Sequence, residues 1–286
     1  SLHFSNMKIG YQFHNDSSDN VTESIISYHY EYEAGQKIIK DTTGTCGANV
    51  YYTLGTSTLI ISGTGQMKNY SSSSSPFYNN KNINTITIEN GVASIGDYLF
   101  YHCSNIQFIS IPNSVTYIGQ YSFGYCSTIS SIKLSNNIKT IERYTFYKCE
   151  NLKSMTIPDG VTILKTWSFH ECKKMATIYI PDSVTKIESH VFHWCYALTS
   201  IEIPKNVHEI YADTFSECIN LTKIIFRGNL NAIYANSFDN TNKLTTIYYY
   251  GTKEPTVSAG TLPSSVKNMY VSKDYQGTTF GSNSVN

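Results

Sequence analysis

Apolar residues recur along this chain at intervals that match neither a single helix nor a single strand. In "YIPDSVTKIESHVFHWC", Tyr179–Cys195, they lie at Ile180, Val184, Ile187 and Phe192, spaced 4, 3 and 5 residues apart. The segment "TIPDGVTILKTWSFHEC", 23 residues earlier, has the same offsets. Because a helix has one apolar period of about 3.6 and a strand one of 2, this spacing indicates a repeat unit made of several short elements.

Three columns of residues keep the period of 23 without an insertion. The aromatic column comprises Phe100, Phe123, Phe146, Phe169, Phe192, Phe215 and Phe238. The thiol column comprises Cys103, Cys126, Cys149, Cys172, Cys195 and Cys218. The aliphatic column comprises Ile86, Ile109, Ile132, Met155, Ile178, Ile201, Ile224 and Ile247. A unit of this size cannot bury its apolar face alone, so the pattern predicts a repeat solenoid with one continuous core.

Each unit divides into three short pieces. Ser154–Pro158 and Ser200–Pro204 alternate polar and apolar residues and end at proline, which predicts a first strand with one buried face in a parallel sheet. The pair Val184 and Ile187 is typical of a second short extended piece. The closing segment, such as Tyr144–Cys149, is too short for a long helix and predicts a helical or 3₁₀ turn whose Phe and Cys point inward.

The unit resembles the treponemal-type leucine-rich repeat of the BspA-like family, L-x-x-L-x-L-P-x-x-V-x-x-I-x-x-x-A-F-x-x-C. "LTSIEIPKNVHEIYADTFSEC", Leu198–Cys218, matches it almost throughout. The resemblance spans residues 81–250, about seven repeats, and implies a right-handed curved coil with a parallel β-sheet. Residues 44–80 resemble the family's amino-terminal cap, and their two β-rich runs across "GTS" predict a hairpin. Residues 251–286 resemble the closing cap of protozoan members, whereas residues 1–43 have no assigned role.

Five positions depart from the family pattern. Ser135 and Arg227 stand where proline is usual. His190 and Asp213 stand where other units have an aromatic residue. Thr241 replaces the next cysteine, which predicts a core that tapers towards its carboxyl-terminal cap.

Charge and composition narrow the class of partner. The chain has 21 acidic and 21 basic residues, so a formal net charge of zero provides no global attraction to nucleic acids or anionic membranes. Only 15% of residues are charged, 24 are Tyr, and Ser, Thr and Asn are abundant. This composition indicates a surface rich in hydroxyl and amide groups, as is common outside cells. No apolar run approaches the roughly 18 residues of a membrane span, and no secretory leader opens the chain. Because it begins at Ser1 rather than Met, we expect a processed or truncated product whose signal and anchor, if any, are missing. The polar composition is the separate reason to expect an extracellular or cell-surface location.

The periodic cysteines invite a metal or disulfide interpretation. None forms a C-x₂-C pair, and in a stack of units in register their side chains run parallel instead of facing each other. We therefore predict six free, buried thiols that pack as small apolar groups. Cys46, in the cap, has no evident partner.

The remaining candidate chemistry is sparse. His170 and His193 occupy the same position in adjacent units, with His190 three residues before His193, so a transition-metal site is conceivable, although a solvated turn face is the favoured interpretation. The "GTG" at Gly63–Gly65 lacks the Lys-Ser/Thr of a phosphate-binding loop and is typical of a turn. No catalytic constellation is evident, so we expect neither an enzyme nor a cofactor; a hydrolase with a composite site is the alternative. Four sequons permit glycosylation, at Asn15, Asn20, Asn69 and Asn220.

The strand pattern also predicts a binding surface. Alternate strand residues point outward and align between neighbouring units, and most are small and polar. The exceptions, four apolar anchors and two charges that would set orientation, are Phe108, Tyr179, Ile225, Tyr248, Lys133 and Glu202. Their alternative role is to cover one another along the sheet. A second candidate surface holds the turn-side residues Trp167, His170, His193 and Trp194.

The resemblance implies a surface or secreted adhesion protein that recognises a host or extracellular-matrix protein, and a curved solenoid presents an extended surface for such a partner. A scaffold or self-associating surface protein is the main alternative. The oligomeric state is open, with a monomer favoured.

Overall fold

The computed structural model describes residues 41–281 and the strand at 283–284, and it forms a parallel β-solenoid of about nine turns. A typical turn contributes one strand to a first row and a shorter strand to a second row, as the apolar pattern predicts. The described part of the chain contains no helix.

The strands are numbered in chain order. The amino-terminal strands are β1 (Thr42–Thr45), β2 (Val50–Leu54) and β3 (Thr58–Gly63). The first row comprises β4 (Thr85–Ile88), β6 (Phe108–Ser110), β9 (Ser154–Thr156), β11 (Thr177–Tyr179), β13 (Ser200–Ile203), β15 (Lys223–Phe226), β17 (Thr246–Tyr249) and β19 (Asn268–Val271). The second row comprises β5 (Ser94–Ile95), β7 (Tyr117–Ile118), β8 (Thr140–Ile141), β10 (Ile163–Leu164), β12 (Lys186–Ile187), β14 (Glu209–Ile210), β16 (Ala232–Ile233) and β18 (Thr256–Val257). The chain ends with β20 (Thr279–Phe280) and β21 (Asn283–Ser284).

Both ends of the first row are extended by strands outside the regular repeats. Strands β2 and β3 form the predicted hairpin across residues 55–57, and β1 adds a third antiparallel strand beside β2. Strand β3 then pairs parallel with β4, Leu59 opposite Ile86. At the other end, β19 pairs parallel with β17, Tyr249 opposite Val271, and β18 pairs with β16. The parallel pairing therefore continues beyond residue 250.

Pairing in register places like residues on top of one another. Ile201, Ile224 and Ile247 of the aliphatic column are direct partners across β13, β15 and β17, and all three are buried. Since successive strand residues point to opposite faces, this register directs Glu202 and Ile225 to the outer surface. The period of 23 is thus the number of residues that brings each side chain above its equivalent.

The predicted first-row strand at 131–133 is absent. The chain there forms no strand pairing, so β6 and β9 are separated by a gap in the sheet. Ser135, which stands in place of proline, is buried, and its hydroxyl donates to the Val115 carbonyl at 2.5 Å while accepting from the Asn137 N–H. These side-chain bonds hold the end of the segment to the preceding turn. Arg227, the other departure, instead donates its N–H to the Ile203 carbonyl at 3.0 Å, a bond proline could not make.

The turn segments are not helices, because each contains two residues in the left-handed region. In the segment 144–149 these are Tyr144 and Lys148, both with φ of 57°, and every equivalent pair from Tyr98 to Asn240 has positive φ. The bond from the Cys149 N–H to the Phe146 carbonyl is of the predicted 3₁₀ type, but the left-handed residues stop its propagation. This conformation costs about 1–2 kcal/mol per residue. Bonds between turns offset it, such as the Lys148 N–H to the His170 carbonyl at 2.8 Å.

The aromatic and thiol columns form the core, as predicted. Phe169 is fully buried and stacks between Phe146 and Phe192, with ring centroids 5.4 and 6.0 Å away. All seven cysteines are free and buried. Each column thiol donates to a phenylalanine carbonyl of the preceding turn, as Cys172 does to Phe146 at 3.3 Å, and burial raises the pKa of these thiols. Thr241, in the place of a seventh column cysteine, is also buried and donates to its own turn.

Candidate functional site

The strand face is the outward surface of the first-row strands, and it carries the six side chains predicted to bind a partner. Ile109 and Ile178 pack against the core, so their neighbours Phe108 and Tyr179 point away from it. Phe108 is 64% exposed and Tyr179 is 57% exposed. Strands β6 and β11 therefore present two aromatic rings to water.

Ile225 and Tyr248 are half-buried, so the prediction that they stand exposed is wrong. The ring of Tyr248 stacks on Tyr270 of β19, with centroids 5.0 Å apart and an interplanar angle of 17°. Ile225 lies in register between Glu202 and Tyr248. Here the outward side chains cover one another along the sheet, which stabilises neighbouring strands.

The two charged residues of the strand face have different surroundings. Glu202 Oε1 accepts from Arg227 Nε at 2.5 Å, and both side chains are exposed. Lys133, also exposed, lies in the gap between β6 and β9. Within residues 41–281 no carboxylate lies within 4.0 Å of the Lys133 amine. Lys133 is therefore free to pair with a ligand.

A depression of about 780 Å³ lies over the gap in the sheet. Half-buried Ile109 and Ile132 supply apolar lining, Phe108 lines it on the β6 side, and Lys133 also contributes. The remaining lining is mostly Ser and Thr, with no acidic residue. In the part of the chain that the structure describes, the N–H groups of 131–134 make no backbone hydrogen bond. The site combines apolar surface, one cation and backbone donors without ladder partners.

A second depression, of about 410 Å³, lies beside Tyr179. Its charged lining residues are Asp159, Asp182 and Glu202. Asp182 pairs with Lys205 at 3.2 Å and Glu202 pairs with Arg227, but no cation of the described chain lies within 4.0 Å of the Asp159 carboxylate. This depression therefore has an acidic character, opposite in sign to the first.

The turn segments carry an aromatic ladder. The sequence shows its members as a column of aromatic residues but does not reveal that their rings stack. Its members, each two residues before a column phenylalanine, are Tyr98, Tyr121, Tyr144, Trp167 and His190. Successive ring centroids are 4.7, 4.2, 6.0 and 4.0 Å apart, with interplanar angles of 22° or less. Because the rings stack on one another, they present their edges to water. The stacked rings therefore stabilise successive turns and leave no flat ring face along the ladder for a ligand.

His170 is 4% exposed, so the prediction of a solvated turn face is wrong for this residue. Its ring stacks on Tyr147, with centroids 5.2 Å apart, and meets the edge of Trp167 at 4.5 Å. Its Nε2 lies 3.3 Å from Oε1 of Glu171, which is 5% exposed and also pairs with Lys148 at 3.2 Å. Burial, with the positive charge of His193 and Lys148 adding to it, lowers the pKa of His170 to about 3.

His190 and His193 are half-buried beside His170. His190 Nε2 lies 3.4 Å from Oδ2 of Asp213, the other residue that replaces an aromatic in this column. The Nδ1 atoms of His170, His190 and His193 are buried without a partner. Burial lowers the pKa of both His190 and His193. No three His, Cys, Asp or Glu side chains within the described residues are arranged to hold a metal ion.

Two of the four sequons lie within the described residues. Asn69 is exposed, and its Oδ1 accepts from the Asp97 N–H at 3.0 Å. Asn220 donates its Nδ2 to the Tyr196 carbonyl at 2.8 Å, so the nitrogen that would carry a glycan is engaged between turns. Asn15 and Asn20 lie outside the described residues. Glycosylation remains a prediction, with Asn69 the more accessible of the two described sequons.

The 23-residue turns, parallel first row and buried columns together define a leucine-rich repeat protein. The chain matches the BspA type Leucine rich repeat region, in six copies, over residues 47–175 and 139–255. It therefore belongs to the BspA-type leucine-rich repeat family. No curated protein matches it.

Solved structures share this fold. A leucine-rich repeat protein from Bacteroides ovatus is 22% identical, with a TM-score of 0.59 and coverage of 84% of this chain and 71% of that one. The leucine-rich repeat protein of T. pallidum is 23% identical, with a TM-score of 0.54 and coverage of 65% of this chain and 83% of that one. The described chain contains no helix with the length and apolarity needed to cross a bilayer.

Proposed function

We propose that this chain is the protein-binding module of a cell-surface or secreted protein and recognises a host or extracellular-matrix protein through its strand face. The observation that carries the proposal is the exposure of Phe108 and Tyr179 on first-row strands among small polar neighbours. Large aromatic groups of this kind anchor protein interfaces, because they bury much area with little loss of side-chain freedom.

The form of the surface supports this role. About eight first-row positions, stacked roughly 4.8 Å apart, span about 35 Å, which is enough for an interface of standard size. The family supports it as well, since leucine-rich repeats are generally protein-interaction modules. The extracellular location rests on the resemblance noted above and on a surface rich in hydroxyl and amide groups. The proposed role requires neither catalysis nor a cofactor.

The test uses immobilised extracellular-matrix proteins and the double variant Phe108→Ser, Tyr179→Ser. Other turns of this chain already carry serine at these positions, Ser131 for the first and Ser110 for the second, so the variant should fold. Tyr234→Ser, which removes a 39% exposed tyrosine directly after β16, is the matched control. We expect at least one matrix protein to bind the wild type and the control, with the double variant at least tenfold weaker.

Two results would contradict the proposal. Undiminished binding by a folded double variant would exclude the strand face. A molar mass that rises with concentration for the wild type and not for the double variant would assign this face to self-association. Sedimentation measured over a concentration series separates these cases.

A further inference from the structure

Building on the proposed function, we infer that the strand face takes an extended peptide segment of its partner. This segment carries an apolar side chain beside an acidic one and, roughly three residues away, a basic side chain. The two depressions supply the complementary groups. They lie on the same face, and each contains one charge without a partner in the described chain, Lys133 in the first and Asp159 in the second.

The first depression suits an apolar side chain with an acidic neighbour. Ile109 and Ile132 are only half-buried and Phe108 is exposed, so an aliphatic side chain seated between them would remove apolar surface on both partners from water. Lys133 lies at the same site without a carboxylate partner, and no acidic residue lines the depression. A glutamate or aspartate next to the apolar side chain would pair with it, and a basic neighbour would be repelled.

The second depression suits a guanidinium or ammonium group. Tyr179 is exposed beside three carboxylates, and a cation placed over its ring would gain from both the ring and the carboxylates. Lys205 and Arg227 pair with two of the carboxylates, whereas Asp159 forms no ion pair within 4.0 Å in the described chain. The Asp159 carboxylate is therefore available to a basic side chain of the partner.

The distance between the two depressions sets the spacing in the ligand. The first lies over the turn of Lys133, and the second is centred on the turn of Tyr179, two turns further along. At roughly 4.8 Å per turn the separation is about 10 Å, the length of about three extended residues. A helix rises only about 1.5 Å per residue and would need six or seven residues for this distance. A short extended segment is the simpler occupant.

The test measures fluorescence anisotropy with labelled peptides. The probe peptide is Gly-Ser-Glu-Leu-Ser-Gly-Arg-Ser-Gly; one companion has Arg replaced by Glu and another has Leu replaced by Ser. We expect the probe to bind at least about tenfold more tightly than either companion. Asp159→Lys should remove the preference for Arg and Lys133→Glu should weaken binding of the probe. Both changes reproduce residues found at equivalent positions of this chain, Lys205 and Glu202, so the variants should fold.

Asp274→Lys, a charge reversal at an exposed residue away from both depressions, is the matched control and should bind the probe like the wild type. The inference is overturned if no peptide binds, if all three bind equally, or if Asp274→Lys weakens binding as much as Asp159→Lys. If any of these results is obtained but the variant Phe108→Ser, Tyr179→Ser no longer binds the matrix protein, the inference fails and the proposed function stands. The proposed function fails on its own when that variant binds the partner undiminished.

Discussion

Replacing His170 by Phe should remove much of the acid sensitivity of this protein. In the folded chain His170 is buried between Tyr147 and Trp167 and its pKa is lowered to about 3. In the unfolded chain an imidazole has a pKa of about 6.5. Between these values the unfolded state binds a proton that the folded state does not, so the free energy of unfolding falls as pH falls below about 6.5.

The magnitude follows from this difference. Lowering the pH from 7.5 to 5 protonates the unfolded imidazole and leaves the folded one neutral, which costs about 2 kcal/mol of stability for His170 alone. Phe keeps the stacking on Tyr147 and does not titrate. The variant leaves Glu171 with its partners Lys148 and Lys173, at 3.2 and 3.3 Å. His190, His193 and the carboxylates are present in both proteins, so their contribution cancels in the comparison.

The assay is urea unfolding followed by circular dichroism at several pH values between 7.5 and 5. We expect the wild type to lose about 2 kcal/mol more than His170→Phe over this range. Tyr147→Phe, at the equivalent position of the preceding turn, removes no imidazole. It should keep the wild-type pH dependence of the free energy of unfolding. Parallel loss of stability in the wild type and His170→Phe would refute the argument that His170 is held neutral by burial.

Three further predictions concern the solenoid itself. Phe169→Ala should cost about 3–5 kcal/mol in urea unfolding, because the ring is fully buried between two others; a loss below about 1 kcal/mol would place it outside the core. Thiol titration should find all seven cysteines unreactive in the native protein and reactive after denaturation without reductant; fewer than seven would reveal a disulfide. Deleting residues 251–286 should produce aggregation on size-exclusion chromatography, since it uncovers the edge of β17; a soluble monomer of unchanged stability would show that this segment is not a cap.

The period of 23 residues was sufficient to predict both rows of strands and the inward columns, because a stack in register repeats the same side-chain directions in every turn. It could not predict where the register ends. The partner of Thr246 is Asn268, 22 residues later, so the column pattern does not extend to β19 and does not predict that Tyr270 stacks on Tyr248. The missing strand at 131–133 could not be predicted, because residues 131–134 alternate polar and apolar side chains as the paired strands do.

The candidate site was predicted in part for a similar reason. Alternation along a strand identifies Phe108 and Tyr179 as outward residues from the sequence alone. The charge of the depressions beside them could not be predicted, because it depends on which charged side chains pair between turns. Glu202 pairs with Arg227, whereas Asp159 forms no ion pair within the described chain. The burial of His170 likewise results from the stacking of its ring on Tyr147 of the preceding turn, a contact that the sequence of its own turn does not reveal.

Hydrogen exchange measured by mass spectrometry on the protein bound to its matrix partner tests the central claim most directly. If the strand face is the binding surface, bound protein should show new protection at 107–111, 131–135 and 177–183, with the turn segments 98–103 and 167–172 unchanged. Protection confined to those turn segments, with none on the strand face, would contradict the account and assign binding to the aromatic ladder.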